Sequence, residues 1–199
     1  MNKHLKIAAA LLVALPTLTF AQVRTEQTFE KGWKFTREDN KDFSQQTYDD
    51  TKWQSVTVPH DWAIYGPFSI ENDKQKVAIT QDGQKEALEH AGRTGGLPFV
   101  GVGWYRLNFE APAFSSGKKA TLIFDGAMSH ARVYINGQEA GFWPYGYNSF
   151  HIDATPYLKA GEQNTLAVRL ENETESSRWY PGAGLYRNVH LVINEDAHI

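Results

Sequence analysis

The chain is written almost entirely in short runs where apolar and polar residues alternate, each run stopped by Gly, Pro, Asn or Asp. Trp33 to Arg37 and Trp53 to Val58 are two such runs, the second ending at Pro59. Within Trp104 to Phe109, the residues Tyr105, Leu107 and Phe109 share one face, and Arg106 and Asn108 share the other. Ala120 to Phe124 is denser in apolar residues, as expected of a central strand. Ala131, Val133 and Ile135 alternate with Arg132, Tyr134 and Asn136, and Asn136-Gly137 then supplies two residues that tolerate positive φ in a tight hairpin. Leu166, Val168 and Leu170 fall on one face, as do Val189, Leu191 and Ile193. Alternation of this kind marks half-buried strands. Many such strands separated by turns build an antiparallel sandwich or barrel. No segment keeps a helical period; the best helical candidate is Gln84 to Ala91, about two turns rich in Lys, Glu and Ala. The expected fold is therefore all-β, an antiparallel β-sandwich of the jelly-roll kind. One stretch departs from the pattern: Gly66 to Gly103 is long, polar and Gly-rich. Its second half, Gly92 to Gly103, carries five Gly among apolar residues and is expected to be packed.

The first residues stand apart from this pattern. Lys3 and Lys6 precede an uninterrupted apolar stretch from Ile7 to Leu15, and Thr19 and Ala21 are small residues at the spacing a signal peptidase reads. That is the layout of a secretory leader. The apolar run is shorter than the roughly 20 residues needed to span a bilayer. Residues 1–21 are thus expected to be a cleaved signal peptide and 22–199 a single sandwich domain, periplasmic or secreted. Losing Lys3 and Lys6 takes the formal charge from −3 to −5. An acidic surface argues against nucleic acid, whose recognition begins with a basic patch, and against an anionic membrane. The chain has no Cys, so an exported domain here must hold itself together by its core rather than by disulfides.

Most chemistries find no footing. There is no Gly-x-Ser-x-Gly elbow and no phosphate-cradling Gly-rich turn between strand and helix. His60, His90, His130, His151, His190 and His198 are scattered singly, whereas zinc sites need close-spaced ligands. Asp49-Asp50 and Glu195-Asp196 are adjacent acids, and neighbouring side chains on extended backbone point to opposite faces, so neither is a catalytic pair. Three loops do stand out: Pro59-His60-Asp61-Trp62, the aromatic run Phe142 to Asn148, and Ser177-Arg178-Trp179-Tyr180-Pro181-Gly182-Ala183-Gly184. Each joins aromatic faces to a directional polar group. Sugars ask for that combination, since their C–H faces stack on rings and their hydroxyls want fixed partners. The alternative for the same residues is structural. Trp33, Trp53 and Trp104 lie in strands and are expected in the core, where aromatics dominate burial. Trp143 and Trp179 either cap the sandwich or face a ligand or another domain. Asp61 either contacts ligand or pins its own turn by accepting from backbone amides.

Five motifs occur in an order that is specific: Val58-Pro59-His60-Asp61-Trp62, Gly103-Trp104-Tyr105-Arg106, Val133-Tyr134-Ile135-Asn136-Gly137, Pro144-Tyr145-Gly146-Tyr147-Asn148-Ser149-Phe150, and Arg178-Trp179-Tyr180-Pro181-Gly182-Ala183-Gly184-Leu185-Tyr186-Arg187-Asn188-Val189. From about Phe29 to Ile193 the chain resembles the N-terminal sugar-binding domain of glycoside hydrolase family 2, a galactose-binding-domain-like jelly roll. The stretch from Gln81-Asp82-Gly83 to Gly92-Arg93-Thr94-Gly95-Gly96-Leu97-Pro98 is similar to the β-galactosidase-type members, while β-mannosidases and β-glucuronidases share the domain. The resemblance implies an immunoglobulin-like sandwich and a barrel following this domain, the barrel carrying the two Glu residues of a retaining hydrolysis. It therefore implies no catalytic residue, metal ligand or cofactor within this stretch. The partners it implies are the downstream domains and a carbohydrate, a terminal β-galactoside or similar. Arg178 matches the position where relatives place a sugar-contacting residue, with Trp179, Asp61 and Trp62 as further candidates for the same rim. A free-standing carbohydrate-binding module and a structural or adhesion sandwich are the competing readings. N-terminal sequencing of the exported protein is expected to read Gln22 first; an intact Met1 on exported material would refute the leader.

Overall fold

The computed structural model describes residues 24–72, 74–90, 99–174 and 179–195. The proposed leader at 1–21, the Gly-rich segment 91–98 and Arg178 lie outside the described residues. Among the described residues twelve strands follow in chain order: β1 (Arg24–Thr28), β2 (Trp33–Thr36), β3 (Gln54–Val56), β4 (Gln75–Val77), β5 (Leu88–His90), β6 (Gly101–Glu110), β7 (Lys118–Phe124), β8 (Ala131–Ile135), β9 (Gln138–Trp143), β10 (Phe150–Asp153), β11 (Gln163–Asn172) and β12 (Val189–Glu195). A six-stranded sheet runs β3-β2-β6-β11-β8-β9 and faces a four-stranded sheet running β1-β12-β7-β10. Every pairing is antiparallel. Neighbours in the sheets are mostly distant in sequence, as in a jelly roll, and the expected all-β sandwich is what forms. The only helical elements among the described residues are three short 3₁₀ turns.

The alternation read from the sequence is the alternation of burial. Tyr105, Leu107, Phe109, Leu122, Phe124, Val133, Ile135, Leu166, Val168, Leu170, Val189 and Leu191 all point between the sheets into one core. The hairpin β8–β9 turns through Asn136 and Gly137 at φ of 52° and 86°, the region where Asn and Gly are at least cost. Trp33 is fully buried in this core, its indole N–H donating to the Phe29 carbonyl at 3.0 Å.

The outer face of the six-stranded sheet is also covered. Residues 39–53 fold back over it, and Phe43, Trp104 and Ala167 form a second core flanked by Tyr48, Trp53 and Tyr134. Trp104 is therefore a core residue, but of this second layer, and the half-buried Trp53 packs against it. Arg106, on the face expected to be polar, is only 1% exposed. Its Nε donates to Asp50 at 2.8 Å, and its Nη atoms donate to the carbonyls of Phe43, Gln45 and Tyr48. A buried charge is tolerable only when paired and hydrogen-bonded, and here one guanidinium stitches the covering segment to the sheet.

Two expectations are corrected. Gln84 to Ala91 holds no helix up to the last described residue, His90. Leu88–His90 is β5, which pairs with β4 through Val77↔Leu88 and Gln75↔His90. A helix of two turns with no apolar face to bury is too short to sustain itself, whereas the Gln84 side chain accepts from the Ile79 amide at 2.9 Å and ties the hairpin. The long segment after Gly66 is thus partly organised as a hairpin rather than structureless. Trp62, a rim candidate, is buried: its ring lies parallel to Phe35, centroids 5.5 Å apart, and its indole donates to the Phe99 carbonyl. The ring fits because Gly103 lacks a side chain; a Cβ there would sit 2.5 Å from Trp62 Cζ3 and 2.9 Å from Phe35. Overpacking of this kind costs about 1–3 kcal/mol. Gly103→Ala is expected to lower stability by that amount in urea denaturation, and an unchanged midpoint would show that the core yields there freely.

Candidate functional site

The three loops singled out in the sequence meet at one end of the sandwich, and Asp61 is the joint. It precedes the 3₁₀ turn Trp62–Tyr65, where a short polar side chain can accept from the turn's free amides. Asp61 Oδ1 accepts from Ala63 N, and also from Ala183 N in the other loop, both at 3.0 Å. Its Oδ2 accepts from the Tyr180 hydroxyl at 2.6 Å. Backbone bonds run alongside, from His60 N to Leu185 O at 2.7 Å and from Trp62 N to Ala183 O at 3.1 Å. Burial, followed by the neighbouring Asp61 carboxylate, pushes the Tyr180 phenol above its ordinary value, so it remains a donor. Gly184 lies at φ 105°, and a Cβ there would collide with the Tyr105 hydroxyl and the His60 carbonyl. The Gly-rich spelling of this loop reflects the close approach of two backbones.

The other flank of the same loop is clamped as firmly. Met128 and Gly184 exchange both backbone bonds, at 2.9 and 3.0 Å. Asn172, at the end of β11, donates from its amide to the Gly182 carbonyl at 2.9 Å. The Tyr186 hydroxyl donates to Gly146 O at 2.6 Å, and the Trp179 indole donates to the Tyr147 hydroxyl at 2.8 Å. Gly146 lies flush on Met128, with no room for a Cβ. Between these loops is a pocket of about 180 Å³, lined by Met128, Ser129, His130, Tyr145, Tyr147, Asn172 and Trp179 among others. Tyr145 and Tyr147 are tilted together at 5.4 Å and both are exposed; Trp179 keeps 58% of its surface open.

The sequence candidates separate accordingly. Asp61 and Trp179 are brought to the same loop cluster, Asp61 as the anchor and Trp179 as an open ring. Trp62 is turned into the core. Trp143 caps the sandwich: it stacks near Phe150 at 5.8 Å and donates to Asn148 at 3.0 Å. Ser129, His130 and Asn172 line the pocket without having been singled out. Ser129 donates to Glu171 O at 2.7 Å, and His130 adopts φ 46° with its ring nitrogen Nε2 3.9 Å from Glu173. Nothing in the sequence marks an isolated Ser-His pair; its position comes from the pairing of Ser129 O with the Glu171 amide at 2.8 Å. Chemically the cluster offers ring faces, hydroxyls and one amide. Among the described residues no group of three His, Asp or Glu side chains is placed to hold a metal ion. Asp61, with both oxygens engaged, is a brace rather than a base.

Residues 27–194 match the family model described as glycosyl hydrolases family 2, sugar binding domain. The chain belongs to glycosyl hydrolase family 2 through this domain. It is 39% identical over 189 residues to the β-galactosidase BoGH2A of Bacteroides ovatus, covering 94% of this chain and 20% of that protein. It is 37% identical over 194 residues to a putative β-glucuronidase of Formosa agariphila, covering 96% of this chain and 17% of that one. A solved family 2 member from Bacteroides cellulosilyticus superposes with a TM-score of 0.71 at 34% identity, over 85% of this chain and 20% of the other. The chain thus spans about a fifth of the length of the relatives it matches.

Removing the Asp61 carboxylate deletes three hydrogen bonds, whereas removing the Tyr180 hydroxyl deletes one. At about 1 kcal/mol net per bond, Asp61→Ala is expected to cost about 2–3 kcal/mol and Tyr180→Phe about 1 kcal/mol in urea unfolding. Equal losses in the two variants would show that the amide contacts of Asp61 contribute nothing.

Proposed function

We propose that this chain is the sugar-binding domain of an exported, β-galactosidase-like family 2 hydrolase acting on terminal β-glycosidic bonds. In this reading residues 1–21 are a cleaved leader and the working enzyme is periplasmic or secreted. The domain supplies one rim of the sugar pocket, and the catalytic carboxylates belong to another domain of the enzyme. The observation that carries the reading is the open ring of Trp179 beside Tyr145 and Tyr147, over a pocket whose loops are braced on Asp61. Braced aromatic faces suit the C–H face of a pyranose and cost little ordering entropy on binding. Arg178, one residue before Trp179, is proposed to direct its guanidinium to the sugar's hydroxyls. The relative from Bacteroides ovatus favours a β-galactoside; that from Formosa agariphila makes a β-glucuronide the second candidate.

The isolated chain is expected to give no turnover of a nitrophenyl β-galactoside and at most weak calorimetric binding of galactose, because half a pocket buries less than the about 70–90% of ligand surface that a formed site does. The full-length enzyme is expected to hydrolyse the galactoside faster than the matching nitrophenyl β-glucuronide, with Arg178→Ala raising KM. Robust hydrolysis by the isolated chain would overturn the assignment of catalysis to another domain, and preference for the glucuronide would overturn the sugar.

A further inference from the structure

A second concave surface lies on the flank of Val58–Trp62 away from the Asp61 brace. It is a shallow, open concavity of about 490 Å³ against the free edge of β3, the outermost strand of its sheet. Lys31, Gln54, Ser55 and Thr57 supply its polar wall, and His60 and Tyr65 its end. Tyr65 leaves 69% of its surface open and stacks on His60 at 5.8 Å with 13° between the planes, so the ring is held flat with one face outward.

His60 makes this more than a dent. It is 8% exposed, and its Nδ1 lies 2.7 Å from the Tyr105 hydroxyl. Its Nε2 has no hydrogen-bond partner among the described residues, and it is not sealed in the interior either. Burial lowers the His60 pKa, so the ring is neutral at pH 7. The Tyr105 proton has two acceptors within reach, His60 Nδ1 at 2.7 Å and the His60 carbonyl at 3.4 Å. The Nδ1–Tyr105 bond leaves Nε2 as the ring's other polar atom, on a residue that lines the concavity, able to donate to or accept from a hydroxyl.

We infer that this groove binds a pyranose unit of a neutral oligosaccharide, as a second carbohydrate contact distinct from the pocket under Trp179. The sugar's C–H face lies on Tyr65, one hydroxyl pairs with His60 Nε2, and the flanking hydroxyls exchange bonds with Gln54 and Thr57. The inference rests on the carbohydrate reading above and adds a place where a longer glycan is held beyond its reacting end. An apolar ligand would leave His60 Nε2 unmatched. An acidic ligand would be drawn mainly by Lys31, at the exposed rim.

The test is a titration of the chain with β-1,4-galactotetraose, followed by NMR of the histidine imidazoles and aromatic rings, with sodium glucuronate as a parallel arm. The tetrasaccharide is expected to shift the His60 and Tyr65 signals at millimolar concentration. Tyr65→Ala is expected to weaken that binding about tenfold, as loss of a stacking ring does, while Trp179→Ala leaves those shifts unchanged. Tyr65→Ala and Thr57→Ala both alter exposed side chains, so both variants are expected to fold, and Thr57→Ala is expected to weaken binding less. Shifts confined to Trp179 and Tyr147, no shifts at all, or tighter binding of glucuronate would each overturn the groove. So would a Tyr65→Ala variant that binds normally yet destabilises the full-length enzyme, which would make the ring a docking surface for the rest of the polypeptide. None of these outcomes bears on the hydrolase reading, which turnover by the full-length enzyme decides.

Discussion

Strands β6 and β11 pair over ten residues, from Gly101↔Asn172 to Glu110↔Gln163, and this ladder has a core on each side of it. Inward, Tyr105, Leu107, Leu166, Val168 and Leu170 fill the sandwich; outward, Trp104 and Ala167 lie under the 39–53 segment. A strand buried on both faces cannot slip by one residue without exchanging two sets of buried side chains. The register of the whole six-stranded sheet follows. So does the location of the loop cluster, because Asn172 ends the ladder, and Ser129 pairs with Glu171 one residue earlier. A pocket built at the end of such a ladder inherits its rigidity.

Arg106 shows the electrostatic side of that constraint. Withdrawing a guanidinium from water costs several kcal/mol, and an ion pair alone need not offset it. Asp50 is one partner; three backbone carbonyls of the covering segment supply the rest. Those carbonyls belong to residues 43–48, around a single 3₁₀ turn, and have few other partners in that irregular chain. Gln45 O also accepts from the Tyr48 amide at 3.2 Å, so the charge chiefly serves the Phe43 and Tyr48 carbonyls. Arg169 with Asp39 and Glu171 looks similar on paper, but its carboxylates are nearly half exposed. Exposed pairs are worth about 0–1 kcal/mol, so the covering segment is held by Arg106 and the Phe43–Trp104 contact, with Arg169 a minor addition.

Legibility in the sequence follows the same physics. Strands with one face in the core announce themselves by alternation: β7, β8 and β12 are legible nearly to their ends, and β6 and β11 in their middles, while Gly101–Gly103 of β6 is hidden in the Gly-rich stretch. Of the edge strands, β3 is marked by the run Trp53 to Val58, and β1 and β4 are not. β1 reads Arg-Thr-Glu-Gln-Thr and β4 reads Gln-Lys-Val, because neither buries a full face. Arg106 was assigned to a polar face by period alone, and only the chain folded over it makes that face interior. The three aromatic loops were visible as clusters, since composition survives without coordinates, and their convergence was suggested by motif order. The direction each ring takes was not visible: Trp62 and Trp179 sit in loops of similar spelling, yet one fills the space left by Gly103 and the other stays open. Ser129 and His130 left no trace, because a strand's partner, not its own residues, put them beside the pocket.

The segment Val58–Trp62 draws these threads together. Consecutive side chains on extended backbone alternate in direction, and the two central ones here diverge. Asp61 reaches the Tyr180 loop, while His60 turns to Tyr105 and Tyr65 on the opposite flank. Trp62 then enters the core against Phe35, whose ring also lies 5.0 Å from His60. Phe35 and Tyr105 thus touch both His60 and Trp62, and the fully buried Tyr105 hydroxyl lies against the backbone of Gly184. A change in the position of the Gly182–Gly184 backbone would press on Tyr105, and through it on His60. The two surfaces are therefore joined by a packed aromatic cluster rather than a flexible linker. The groove on one flank and the loop carrying Trp179 on the other thus rest on one cluster of packed rings.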